Sequence, residues 1–376
     1  MSSVKKRPNG KWRARYRDDA GKEHARHFER KIDAQKWLDQ VTASVVTGQY
    51  VDPTAGRVTF TDYFEQWAAR QVWVDGTEKA MRLAARSATF ADLELRKIRP
   101  THVEQWVKVM KDGDPRRENS RKLAPGTIHT RVNNVRAVLR AAVRDKMIAS
   151  DPSEDVTLPR RRKAEAAMQL PTTKQVGALL AAADDTFGVF VALCAFAGLR
   201  LGEAAAVRVG DVDFLRKRLT ISRQVQRATK GQVEIRAPKY GSERTVFLAP
   251  ELVTALSAHV GRLDGAGPDR WLFNGENGNP PHQNTVGYWW RKTLRDAGQT
   301  GIRLHDLRHH FASGLIAAGC DVVTVQRALG HASATTTLNT YSHLWPSAED
   351  RTRQAAAGLM AGALKAADQV RTAVGE

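Results

Sequence analysis

Cysteine is nearly absent: the 376-residue chain has two, Cys194 and Cys320, both in apolar helical surroundings. Two distant cysteines exclude a disulfide framework and leave no basis for a structural zinc cage; buried thiols in a reducing cytosol are expected. No long hydrophobic run is present either. The longest, Phe187 to Leu199, falls well short of the ~20 residues that cross a bilayer, so no membrane span is expected. The first residues, MSSVKKRPNGKW, lack an apolar core, so no secretory signal peptide is expected there. Acidic blocks are also missing. Asp and Glu number 40 against 59 Lys and Arg, a formal net charge of +19, which points to a polyanionic partner. Nucleic acid is the first candidate and an anionic membrane surface the second. A hydrophobic content of 42% excludes a disordered tail, and the length suggests two or three domains.

The first 50 residues read as a small sheet with a helix. Trp12, Ala14 and Tyr16 alternate with Arg13, Arg15 and Arg17, the two-residue period of a strand with one basic face. Asn9-Gly10 and Ala20-Gly21 are turn signals on either side, KEHARHF reads as another strand, and a helix follows from Lys31 to Thr47. Few acids stand near to pair with these arginines, so Arg13, Arg15 and Arg17 are candidates for DNA contact; the alternative is a solvated sheet face.

Tyr50 to Arg57, with Pro53 and Gly56, reads as a linker, and the next hundred residues read as helical. Phe60, Phe64 and Trp67 repeat at helical spacing after a Thr/Asp cap; Val103, Trp106, Val107 and Met110 do so again, and Ile128, Val132, Val135, Val138 and Leu139 form a third apolar stripe. The arginines on the other faces of that third helix, Arg131, Arg136 and Arg140, either are solvated or grip phosphates. Asp112 to Lys122 reads as a charged loop. After Pro159, Arg160, Arg161, Arg162 and Lys163 form a basic run, suited to a solvated linker or to one that crosses a DNA backbone. From Leu170 the pattern is mixed α/β: apolar helices up to Gly198, strand-like LTISRQV, QVEIRAP and RTVFLAP, then helices to the end, the last an alanine-rich tail after Pro346.

The chemistry-bearing residues crowd into two stretches, HDLRHHFASGLIAAG from His305 and LGHASATTTLNTYSH from Leu329. On a helix, Leu304, Leu307, Phe311 and Leu315 share an apolar face; His305, Arg308, His309 and Ala312 lie on an adjacent stripe; Asp306 and His310 fall roughly opposite. His305 and His309, four apart, could hold zinc, but the glutamate of HExxH is missing and Arg308 repels a cation. Upstream, AGLRLGE places Arg200 in a glycine-flanked bend with Glu203 just beyond.

In order, AGLR-x-GE, Lys239 on a turn, HDLRH, LGH and Tyr341 resemble the tyrosine recombinase family, in its phage-integrase branch. The resemblance covers most of the chain. It implies a multidomain α/β fold: an arm-type DNA-binding domain at 1–50 of small sheet plus helix, a linker at 51–58, an all-α core-site DNA-binding domain at 59–158, a basic linker at 159–170, a mainly α catalytic domain with a small antiparallel sheet at 171–346, and a helical tail at 347–376 that contacts a neighbouring protomer. It implies that Tyr341 attacks a DNA phosphodiester to give a 3′-phosphotyrosine and a free 5′ hydroxyl. Arg200 and Arg308 clamp the non-bridging oxygens, His305 and His331 add hydrogen bonds, His305 is a candidate base for the tyrosine proton, and Lys239 is the general acid, with Lys230 as its nearby rival. Glu203 supports Arg200. Among six tyrosines, Tyr240 beside Lys239 is the rival nucleophile.

No metal or cofactor is required in such chemistry, since the arginines neutralise the charge. The implied partners are double-stranded DNA at core-type and arm-type sites, three further copies of the chain, a host DNA-bending protein and an excision directionality factor, in the bacterial cytoplasm at the nucleoid. The function implied is site-specific integration and excision of a mobile element. A type IB topoisomerase-like enzyme and a non-catalytic DNA-binding regulator are the alternatives.

Overall fold

The computed structural model describes residues 2–17, 21–46, 50–52, 54–114, 121–160, 168, 170–227, 233–238, 241–265, 267–275, 278–345 and 348–374. The chain divides into two compact units, residues 1–161 and 162–376.

The first unit holds two separate cores. Strands β1 (Ser3–Lys6), β2 (Trp12–Arg17) and β3 (Glu23–Phe28) form an antiparallel meander with β2 in the middle. Alternation along β2 turns Ala14 and Tyr16 inward, at 0% and 3% exposure, against Ala34 and Leu38 of helix α1 (Lys31–Val46). Four helices build the second core: α2 (Phe60–Ala68), α3 (Asp75–Ser87), α4 (Pro100–Asp112) and α5 (Pro125–Arg144). The Thr59 side chain caps α2 by accepting from the Asp62 N–H at 3.1 Å. All three expected apolar stripes are buried here, and Phe90 meets both Phe60 and Trp106 edge to face. Each such buried side chain contributes about 1.5–3 kcal/mol.

The second unit opens with α6 (Thr173–Ala182) and α7 (Asp185–Phe196), the latter buried along almost its whole length. A sharp bend leads into the short α8 (Leu201–Ala205). Two small antiparallel sheets follow: β4 (Val212–Asp213), β5 (Arg218–Ile221) and β8 (Arg244–Phe247) in one, β6 (Gln224–Arg227) and β7 (Val233–Arg236) in the other. Helices α9 (Pro250–Gly261) and α10 (Gln283–Asp296) complete the main core with the front of α11 (Leu304–Ala317). The rear of α11 builds a smaller cluster with α12 (Val322–Leu329) and α13 (Ala334–Tyr341): Ala312, Ile316, Val325, Leu329 and Tyr341. Helix α14 (Ala348–Val374) leaves Leu359, Met360 and Leu364 exposed. No helix among the described residues is long and apolar enough to cross a membrane.

Four side chains of α11 depart from the expected faces. Asp306 is not on an outer face: it is 0% exposed, because it turns back to accept from the Arg303 backbone N–H at 2.7 Å while the Arg303 guanidinium pairs with it at 2.9 Å. Phe311 and Leu315 are only half-buried, and Arg308 takes the interior position instead.

Candidate active site

The site assembles where four chain segments stop or bend. The first is the AGLR bend. Gly198 adopts φ +65°, and a Cβ there would stand 2.4 Å from the Phe311 ring, so only glycine fits. The bend sets Arg200 at the head of α8, where Glu203 reaches back to accept from the Arg200 N–H at 3.0 Å and from its guanidinium at 2.6 Å. The second is the end of α12 at Gly330, in the left-handed region at φ +61°. Its carbonyl accepts from Arg200 Nη2 at 3.3 Å.

Arg308 joins these two bends. Its Nη1 donates to the Gly198 carbonyl and its Nη2 to the Leu329 carbonyl, and at 2% exposure it is among the most buried large side chains. Burial, then the neighbouring charges of Arg200 and Arg244, hold its pKa down to about 9, so the guanidinium is still cationic at neutral pH.

Arg244, at the start of β8, has no counterpart among the sequence candidates. It pairs with both Glu203 oxygens, at 2.9 and 3.2 Å, and donates from Nε to the Ala328 carbonyl at 2.9 Å. Burial pushes the Glu203 carboxyl up, but the bonds from Arg244 and the Arg200 N–H prevail and leave it at about 2. Two guanidiniums, Arg200 and Arg244, therefore share one buried carboxylate, and the charge of Arg308 lies close enough to feel both. The surplus positive charge is a ready receptor for a phosphate that gains negative charge during reaction.

Tyr341 ends α13 inside this field. Its neighbours in sequence are polar Thr, Asn and Ser, yet it is 1% exposed, packed in the cluster between α11 and α12. Burial raises the phenol to about 12, with Arg308 and then Arg200 pulling it the other way. Its hydroxyl bonds His309 Nδ1 at 2.8 Å, and no hydrogen bond joins it to His305 among the described residues. His331 stacks on its other side, ring centroids 6.4 Å apart, and shares a hydrogen bond with Thr337 at 2.9 Å through its own Nδ1. His305 stands edge-on to His309 at 4.9 Å. Burial first, then the cationic neighbours, lowers all three imidazoles, His309 and His331 to about 4, so they are neutral at pH 7.

The structure thus brings together Arg200, Glu203, His305, Arg308, His331 and Tyr341. Lys239, Lys230 and Tyr240 lie outside the described residues. Among the described residues no three His, Cys, Asp or Glu side chains cluster as a metal site. Cys194 is buried and its thiol pushed up by burial, while Cys320 is half-buried.

The expected DNA-contact residues are dispersed. Arg13 and Arg15 are not short of acidic partners as expected: Glu23, across the strand, lies 3.2 Å from Arg13 and 3.5 Å from Arg15. Arg17 and Arg160 are exposed, Arg131 is half-buried, and Arg161, Arg162 and Lys163 lie outside the described residues. Arg136 is structural, donating to the Ser153 carbonyl at 2.6 Å, and Arg140 faces Asp151 at 3.5 Å.

A helical unit with two small sheets, closing a buried tyrosine among arginines and histidines, is the build of a DNA breaking-and-rejoining enzyme. Residues 170–347 match the phage integrase family and residues 2–47 the phage integrase N-terminal domain. A protein named as the prophage phiRv2 integrase of Mycobacterium tuberculosis is 28% identical, over 93% of this chain and 92% of its own. A protein named as the integrase/recombinase y4eF of Sinorhizobium fredii is 30% identical over 58% of this chain and 80% of its own. The Tn1549 transposon integrase, solved with a circular intermediate DNA, superposes with a TM-score of 0.67 at 18% identity, over 80% of this chain and 99% of that one. The chain belongs to the phage integrase family of tyrosine recombinases. It is a site-specific recombinase that cuts and rejoins DNA strands through a covalent phosphotyrosine.

Proposed function

We propose that Tyr341 is the nucleophile of this recombinase and that Arg200 and Arg308 hold the scissile phosphate. The observation that carries the reading is the buried Tyr341 hydroxyl, bonded to His309 and lying in the field of the two arginines. In-line attack of the phenolic oxygen forms a 3′-phosphotyrosine and releases a 5′ hydroxyl. The guanidiniums present forked, permanently charged donors to the oxygens that become more negative. Arg308 spends two of its five N–H groups on carbonyls, which fixes the plane of the rest. His305 and His331 add hydrogen bonds to the phosphate, Glu203 orients Arg200, and Lys239 protonates the departing 5′ oxygen. One ester replaces another of similar energy, so the strand is resealed without ATP.

Residues 1–50 serve as the arm-site domain, 59–158 as the core-site domain and 171–346 as the catalytic domain. The segments 51–58 and 159–170 link them, and 347–376 contacts a neighbouring protomer. Exchange between two duplexes takes four strand cuts, hence four tyrosines and a tetramer on DNA. Arg13, Arg15, Arg17, Arg131, Arg160, Arg161, Arg162 and Lys163 contact phosphates. The reaction integrates and excises a mobile element in the bacterial cytoplasm, with a host DNA-bending protein and a directionality factor as partners.

The test is a nicked substrate, from which the cleaved strand cannot be resealed. The wild type accumulates a protein–DNA adduct whose modified peptide contains Tyr341. Tyr341→Phe binds the same DNA and forms none; an adduct on another residue would overturn the assignment.

A further inference from the structure

The sequence reading gave the tyrosine proton to His305, but the geometry offers another acceptor. His309 Nδ1 lies 2.8 Å from the Tyr341 hydroxyl, and the two rings meet at 65° with centroids 5.5 Å apart. His331 is placed differently: its Nδ1 is engaged with Thr337, and its ring lies nearly parallel to that of Tyr341 at 10°. Among the described residues, His305 meets the pair through the ring of His309.

We propose that His309 is the catalytic base that takes the Tyr341 proton during strand cleavage and returns it during resealing. The inference rests on the reading of Tyr341 as nucleophile. In the DNA-free protein the phenol O–H donates and the imidazole Nδ1 accepts, which leaves the ring proton on Nε2. During attack the Oη–H bond breaks toward Nδ1 as the Oη–P bond forms. The P–O5′ bond breaks with its electron pair on O5′, which takes a proton from the general acid. In the reverse direction the 5′ hydroxyl returns its proton to the general acid as O5′ re-forms its bond to phosphorus, the Oη–P bond breaks with its electron pair on Oη, and Nδ1–H gives its proton back to Oη. Atoms and charge balance with no further reactant.

The surroundings tune this base. Facing His309 from its own helix are His305, Asp306, Arg303 and Arg308; from α13 comes Tyr341. Burial, then the positive neighbours, keeps the imidazole neutral and only weakly basic before DNA arrives. A phosphate seated on Arg200 and Arg308 offsets part of that positive field, so His309 gains basicity when substrate is present. Coupling to phosphorus lowers the basicity of the phenolic oxygen at the same moment. Transfer therefore belongs to the attack itself, and the free enzyme keeps its tyrosine protonated.

The experiment measures adduct formation on the nicked substrate across pH with the full chain. The proteins are the wild type, His309→Gln, and both again with the more acidic 3,5-difluorotyrosine at position 341. His309→Gln is expected to bind DNA normally and cleave at least ~100-fold more slowly at pH 7, the usual span of a lost general base. Its rate should climb about tenfold per pH unit, as solvent base replaces the imidazole, and the acidic phenol should restore most of the loss. A wild-type rate in His309→Gln, or a deficit equal at every pH and untouched by the acidic phenol, overturns the proposal and leaves a packing role. Should His309→Gln fail to fold, the difluorotyrosine protein with His309 intact decides. The midpoint of its acid limb must stay where the wild type has it; a midpoint that follows the acidity of the phenol overturns the proposal. Normal Tyr341 adducts in His309→Gln would sink this inference alone, whereas no Tyr341 adduct in the wild type would sink the nucleophile reading with it.

Discussion

Arg244 grips Glu203 with two parallel hydrogen bonds, at 2.9 and 3.2 Å, in a place where the side chains are 6% and 1% exposed. The pair is forty-one residues apart in sequence, and it locks the AGLR bend to the strand that precedes α9. Removing one partner strands the other charge in a dry site, which typically costs 3–5 kcal/mol. Arg244→Ala should therefore lose about 3–5 kcal/mol in urea denaturation. It should also lose cleavage, since Arg200 is then the carboxylate's only cationic partner. The double variant Arg244→Met, Glu203→Met should regain much of the stability and none of the cleavage. Equal stability of Arg244→Ala and wild type would contradict the buried-pair assignment.

Gly198 gives a second test. Its φ of +65° is strained for any other residue, and a methyl there would collide with Phe311 at 2.4 Å. Gly198→Ala should cost roughly 1–3 kcal/mol and lower the rate of adduct formation, because the carbonyl that holds Arg308 moves. Phe311→Ala in the same chain should return the part of the loss due to collision but not the part due to the backbone angle. Calorimetry on the single and double variants separates the two.

Acid should destabilise the fold in two stages. His309 and His331 are lowered to about 4 in the folded chain from 6.5, so the stability they add is fully present above pH 6.5 and is lost as pH falls through about 4. Glu203, lowered to about 2 from 4.5, adds stability above pH 4.5 that disappears as pH falls through about 2. Tyr341 acts at the other end: raised to about 12 from 10, it supports the fold below pH 10, and that support goes as pH rises through 12. Thermal melts between pH 7 and 4 should show a falling Tm, and His331→Gln should flatten the curve. A Tm that rises toward pH 4 would count against neutral buried imidazoles.

DNA affinity should fall steeply with salt, because each neutralised phosphate releases counterions. Replacing Arg17, which is exposed, should reduce the slope of log affinity against log salt by about 1 on arm-site DNA and leave core-site binding unchanged. Replacing Arg13 or Arg15 should have a smaller effect, since Glu23 already shares their charge. Titrations at several salt concentrations measure the slopes. A chelator should leave adduct formation untouched, because the proposed chemistry runs on guanidiniums; inhibition by chelator would mean that the histidines hold a metal.

Much of this architecture is legible in the sequence, for identifiable reasons. The stripe Ile128, Val132, Val135, Val138 and Leu139 is buried as its period requires, since a helix must cover its apolar side. The order of AGLR-x-GE, HDLRH, LGH and Tyr341 names six side chains that the fold brings together. The burial of Tyr341 is not legible there, because local polarity says nothing about two other helices closing over it. Asp306 was placed outward because helical period ignores a side chain that folds back to cap its own first turn. Arg244 was invisible, because its partners Glu203 and Ala328 meet it only in three dimensions. His309 stood in plain view beside His305 on the same stripe, but spacing alone did not reveal which of the two faces the phenol.

The two carbonyls that hold Arg308 come from positions 198 and 329, far apart along the second unit. A polypeptide that ends between 308 and 329 carries that cation with half its anchorage, and one that ends before 308 lacks the cation itself. The anchorage of this arginine is therefore complete only once the chain has run past position 329.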